Sequence, residues 1–113
     1  MDRIFAFMRE NGFNALRVPF SAELALDPGR VVRVEDPALN NLGNIERLAR
    51  FVEVAGRCGI LVMMDMHRLE ANGGITELWY NNRYPYSRVL EAWSNVIGAL
   101  QYKWNFFAVD LKV

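Results

Sequence analysis

The sequence contains one cysteine, Cys58, and one histidine, His67, in 113 residues. A single thiol closes no disulfide within these residues. With no second thiol and no histidine nearby, it makes neither a zinc site nor a redox pair. Cys58 therefore reads as a small core residue near a helix end, with a pairing partner beyond these residues left open. Net charge is also missing, since thirteen basic residues balance thirteen acidic ones. That removes the electrostatic footprint expected of a nucleic-acid or anionic-membrane partner. The apolar run Ile60–Met64 is only as long as a strand, far short of the roughly 18 residues of a membrane helix. The first ten residues lack the apolar centre of a secretory signal, so a signal for an exported parent is expected upstream. There is no phosphate loop, nucleotide fingerprint or metal motif, so neither metal nor cofactor is expected.

What is present is the material of a packed domain: 52% hydrophobic and 23% charged residues. Residues 2–11 read as a short helix with Asp2 at its start and Gly12 at its stop; Ile4, Phe5 and Met8 share a face. The period then changes. Residues 13–20 are short, apolar and end near Pro19, as a buried strand would. Residues 21–43 carry the turn chemistry of Asp27-Pro28-Gly29 and Asn40-Asn41-Leu42-Gly43 and read as a long loop. Asn44 is the expected cap of a second helix, built on Ile45, Leu48, Ala49, Val52 and Ala55 and closed by Gly59. Residues 60–67 form the next strand, apolar enough to be covered on both faces. A second long loop, 68–86, precedes a third helix with Ser87 as cap and Val89, Leu90, Trp93, Val96, Ile97 and Leu100 as its stripe. Residues 107–111 are the last strand. Alternation of helix and strand predicts right-handed crossovers and a parallel α/β sheet, with long loops at the strand C-termini where barrel enzymes place their sites.

Strand parity sorts the polar residues. Ala15, Arg17 and Pro19 share a face; so do Leu61, Met63, Asp65 and His67, and so do Ala108, Asp110 and Lys112. Arg17 has two readings: it pairs with Asp65 to fill the base of a barrel, or it holds and orients a carboxylate through bidentate bonds. His67 is either a satisfied polar residue or a group of the site. Asp65 and Asp110 read as buried, hydrogen-bonded structural acids. Glu70 and Glu77 lie on a loop with no parity argument placing them at the mouth. Trp79, Tyr80, Tyr84 and Tyr86 offer flat faces of the kind that pack on sugar rings, or else pack their loop on the next helix. Trp93 and Trp104 read as core.

Three runs resemble one family. Gly12–Phe20, with Arg17-Val18-Pro19, is similar to the second-strand signature of glycoside hydrolase family 5. Leu61–Arg68, with Asp65-Met66-His67, resembles its third-strand Asp-x-His, and Phe107–Lys112 the strand leading into Asn-Glu-Pro. Leu78-Trp79-Tyr80 resembles a segment of the endoglucanase branch. The resemblance implies a partial (β/α)8 TIM barrel of about three parallel strands, corresponding to barrel strands 2–4. It makes residues 1–113 the amino-terminal part of a catalytic domain. It implies a retaining cellulase that uses two glutamates, extracellular, monomeric at full length and acting on β-glucan without a cofactor. Arg17 and His67 would take supporting catalytic roles, and His67, Trp79 and Tyr80 would contact sugar. The acid/base would fall just past Val113, and the nucleophile later still. The 113 residues alone are therefore expected to be inactive. Two alternatives stand beside this reading: a truncated product that binds glucan without cleaving it, and a parent acting on β-mannan or β-1,3-glucan.

Overall fold

The computed structural model describes residues 2–27 and 36–111. Helix α1 (Asp2–Glu10) leads into strand β1 (Ala15–Ser21). Two short helices follow, α2 (Ala22–Leu26) and α3 (Pro37–Asn40), and then α4 (Asn44–Arg57). Strand β2 (Leu61–Arg68), helix α5 (Tyr86–Leu100) and strand β3 (Phe106–Asp110) complete the order. The three strands lie in sequence order, all parallel. The predicted crossover pattern holds, with strand boundaries moved by a residue or two.

Two of the three helix–strand junctions turn on glycine. Gly12 and Gly59 adopt φ of 79° and 75°, a left-handed conformation that costs a residue without a Cβ very little. Each closes a Schellman motif. Phe13 N donates to Met8 O at 2.8 Å and Gly12 N to Arg9 O at 3.2 Å; Ile60 N donates to Ala55 O at 2.9 Å and Gly59 N to Gly56 O at 3.0 Å. The chain thus leaves each helix already aimed along the next strand.

One face of the sheet is the core. Phe20 from β1 and Val62, Met64 and Met66 from β2 are buried, with Leu16, Val18 and Phe106 packed against them. They meet Phe5 and Met8 of α1, Val52 and Ala55 of α4, and Val89, Trp93, Val96 and Leu100 of α5. Phe20 packs edge-on against Trp93, ring centroids 5.2 Å apart. Cys58 caps α4 and packs on this core as a free, half-buried thiol.

The structure corrects several sequence expectations. The loop 21–43 contains two helices. Ser21 caps α2 by accepting from Leu24 N at 3.1 Å, and Asp36 caps α3 by accepting from Ala38 N at 3.0 Å with Pro37 in the first turn. Asp27 lies at the end of α2, and Pro28 and Gly29 lie outside the described residues. Gly43, not Asn44, caps α4. Asn44 is the first helical residue, and its buried amide donates to Leu24 O at 3.2 Å and Asp27 O at 3.4 Å. Pro85, not Ser87, precedes α5. Ile4, Leu90 and Ile97 are exposed, so the buried stripes of α1 and α5 are narrower than the spacing implied. Trp104, expected in the core, is 68% exposed beyond the end of α5.

Candidate functional site

The other face of the sheet carries the polar residues. The register pairs Arg17 with Met63, Pro19 with Asp65, Met63 with Ala108 and Asp65 with Asp110. Parallel partners point the same way, so Arg17, Asp65 and Asp110 share this face, as parity predicted. Lys112 lies outside the described residues. Near the end of β2 the register skips: Phe20 pairs with Met66 but Ser21 pairs with Arg68, which leaves His67 as the bulged residue. A bulge re-aims a side chain that regular alternation would otherwise fix.

Asp65 is the centre of this group. It is fully buried, and one oxygen, Oδ2, receives Arg17 Nη2 at 2.8 Å and stands 3.0 Å from His67 Nδ1. Its other oxygen, Oδ1, has no hydrogen-bond partner among the described residues. Arg17 Nη2 also reaches Asp110 Oδ2 at 3.4 Å, so one cation links carboxylates from two neighbouring strands. Both contacts use Nη2. A guanidinium has five donors in a fixed fork, and the Arg17 side chain is 44% exposed. The pairing with Asp65 therefore does not exhaust it: the two readings of Arg17 are compatible. Asp65 is the buried acid expected, whereas Asp110 is half-exposed.

His67 lines a cleft of about 340 Å³ at the C-terminal ends of β1 and β2, together with Pro19, Phe20, Ser21, Arg68 and Ala71. Trp79 and Tyr80 stand beyond it on the loop after β2, 41% and 39% exposed, their rings edge-on at 5.1 Å. Trp79 lines a second, apolar cleft of about 330 Å³ with Val89, Leu90, Trp93 and Leu111. The structure therefore brings Arg17, Asp65, Asp110 and His67 together and sets Trp79 in a neighbouring cleft.

The loop that carries the aromatic pair is tied down on both sides. Glu23 N donates to Leu69 O at 2.9 Å where the loop begins. After Tyr80, Asn81 closes a tight turn: its N–H donates to Tyr84 O at 2.9 Å, and its Oδ1 accepts from Tyr84 N at 2.7 Å. Tyr84 is buried, so of the three aromatics on this loop it is an anchor and not an open surface, while Tyr86 opens α5 and is exposed. Burial raises its hydroxyl pKa above the ordinary tyrosine value, and the Glu23 carboxylate adds to that; Arg83 opposes it, and Glu70 and Asp27 contribute smaller upward pushes. Glu70 is held at 3.4 Å by Arg83, and Glu77 is exposed. Sequence reasoning missed the shared acceptor role of Asp65 toward His67, two positions on, and the turn role of Asn81. The first was legible as an i, i+2 pair on one strand face. The second was legible as Asn opening a four-residue turn.

Among the described residues no three His, Cys, Asp or Glu side chains cluster to hold a metal ion, and no helix is long and apolar enough to cross a membrane.

A family model described as Cellulase (glycosyl hydrolase family 5) matches residues 1–108. The chain is 33% identical over 96 residues to an endoglucanase of Paenibacillus polymyxa, across 82% of this chain and 24% of that protein. Among solved structures it is similar to an endocellulase of Pyrococcus horikoshii in complex with cellotetraose, with TM-score 0.85 and 29% identity over 98% of this chain and 30% of that one. It is also similar to the catalytic domain of the major endoglucanase from Xanthomonas campestris pv. campestris, with TM-score 0.84 and 25% identity, covering 97% and 32%. The chain thus spans about a quarter to a third of the length of these relatives. Its three parallel strands and their helices are part of the (β/α) barrel of such endoglucanases.

Proposed function

Because the chain belongs to the cellulase family, glycosyl hydrolase family 5, we propose that it forms part of the catalytic domain of an extracellular enzyme that hydrolyses β-1,4-glucosidic bonds in cellulose or related β-glucans. The observation that carries this is the Arg17–Asp65–His67 cluster at the C-terminal end of a parallel sheet, where a barrel builds its active site. A retaining glycosidase uses two carboxyl groups about 5–5.5 Å apart, one as nucleophile and one as acid then base. In this reading residues 1–113 supply the supporting wall and the glutamates come from the rest of the enzyme. Arg17, fixed through Nη2 by Asp65 and Asp110, uses its remaining N–H donors to hold the nucleophile ionised and oriented. His67 contacts the sugar at the cleft, and Trp79 and Tyr80 offer apolar planes to neighbouring rings. An insoluble polymer cannot enter a cell, which favours action outside it.

The test is an assay of the complete gene product beside the 113-residue chain. Reducing sugar should appear from soluble cellulose with the former and not with the latter. Preference for β-mannan or β-1,3-glucan would overturn the substrate, and turnover by the pure 113-residue chain would overturn the division of labour. The exposed Trp79–Tyr80 pair favours one second reading, a chain that holds glucan without cleaving it. That reading requires retention on insoluble cellulose that Trp79→Ala abolishes.

A further inference from the structure

The geometry points to Asp65 as a positioning residue that fixes the tautomer of His67, so that the ring presents a bare Nε2 to the cleft as a hydrogen-bond acceptor. Three observations carry this. Asp65 Oδ2 lies 3.0 Å from His67 Nδ1. A carboxylate accepts and never donates, so in the neutral ring the proton of this bond sits on Nδ1. Asp65 itself is held: it is fully buried, and Arg17 binds the same oxygen at 2.8 Å. Finally, His67 is the bulged residue of β2 and lines the cleft formed with Pro19, Phe20, Ser21, Arg68 and Ala71. Alternation sets His67 on the same strand face as Asp65, two positions on, and the register shift falls at His67, where β2 meets that cleft.

The consequence is a direction. With Nδ1 committed, Nε2 accepts, and the ligand group opposite it donates: a hydroxyl, not an ether or carbonyl oxygen. This last step rests on the glucan reading above. The tautomer itself does not, because it is a property of the unliganded chain.

His67 is the only histidine in the chain, so ring-labelled [15N]histidine gives one set of signals. Long-range proton–nitrogen correlation at about pH 8, above the ordinary histidine range, should show a protonated Nδ1 and an unprotonated Nε2. A proton on Nε2, alone or together with Nδ1, overturns the inference. In Asp65→Asn the side chain can offer either its oxygen or its amide hydrogens. The Nε2–H tautomer should then rise to a substantial share of the population. An unchanged ring spectrum in a folded Asp65→Asn chain would make Asp65 structural only and overturn its positioning role. Where Asp65→Asn does not fold, Asp65→Glu keeps the acceptor and should keep the Nδ1–H pattern; loss of that pattern counts against the inference. Cellotetraose added to the labelled chain should shift the Nε2 signal in the sense of an accepted hydrogen bond while Nδ1 keeps its proton. A swap of the proton to Nε2 overturns the inference. No response overturns the hydroxyl partner of Nε2 in this chain, while the tautomer stands as measured and the glucan reading is decided by the assay of the complete gene product.

Discussion

Arg17 Nη2 lies 2.8 Å from Asp65 Oδ2, a half-exposed cation from one strand set against a carboxylate of the next that no solvent reaches. The asymmetry of exposure decides which partner depends on the other. Arg17 without Asp65 keeps its water. Asp65 without Arg17 is a buried charge left with His67 alone. Breaking a fully buried pair from one side costs about 3–5 kcal/mol, but the open guanidinium lets solvent screen part of this. Arg17→Met should therefore destabilise the chain by about 1–3 kcal/mol in urea unfolding. Arg17→Lys, which keeps the charge but loses the fork, should cost less. Equal losses for the two variants would place the effect in the geometry of the guanidinium fork and not in charge alone.

This pairing also shows how far the sequence could be read. Parity put Arg17, Asp65 and Asp110 on one face, and the register agrees, because side-chain alternation depends only on local strand geometry. The bulge at His67 was not legible, since it arises from how β1 and β2 slip relative to each other. Glycine stops were legible at Gly12 and Gly59, where a positive φ makes a residue-specific demand. The helix starts at Asn44 and Ser87 were misplaced by one or two residues because Gly43 and Pro85 carry no side-chain cap to reveal them. The caps at Ser21 and Asp36-Pro37 followed ordinary rules and were obscured by turn residues around them. Trp104 reads as core with Trp93 from its place at the end of the third helix, but burial depends on what lies opposite, and it stands 68% exposed.

Asn105 clamps the base of the sheet to the helix layer. Its buried Nδ2 donates to Val52 O in α4 and to Ile60 O before β2, each at 2.9 Å. Asn105→Ala keeps the backbone bond from Val62 N to Asn105 O at 2.7 Å but removes the side-chain donor from both carbonyls. The expected loss is about 2–4 kcal/mol, read from the denaturant midpoint at unchanged slope. A loss below 1 kcal/mol would mean that the carbonyls find other donors.

Gly56, in the last turn of α4, is a test of the same clamp. In an open helix Gly→Ala gains about 1 kcal/mol. Here a Cβ would stand 3.0 Å from Asn105 Oδ1, 3.1 Å from its Cγ and 3.1 Å from Trp104 Nε1. The exposed Trp104 ring can move, whereas the Asn105 amide is pinned by its two bonds. Gly56→Ala should therefore destabilise by about 1–2 kcal/mol. Placed on Asn105→Ala, the same substitution should turn neutral or stabilising. That change of sign in a double-mutant cycle is the check.

Tyr84 makes the chain sensitive to alkali. Its hydroxyl pKa is raised in the folded state, first by burial and then by the Glu23 carboxylate, above the ordinary value of about 10 that the unfolded chain retains. Below about pH 10 both states hold the proton and the contribution is fully present. As pH rises from there through the raised folded value, the unfolded state releases its proton first, and stability falls. In Tyr84→Phe this component is gone, so the variant should lose stability less steeply above about pH 10 than the parent. The difference between the two unfolding curves isolates Tyr84 from the exposed tyrosines and from lysine, which titrate in both proteins. Parallel curves across that window would mean that the Tyr84 hydroxyl reaches water in the folded chain, and that the loop bearing Trp79 and Tyr80 is not anchored by its burial.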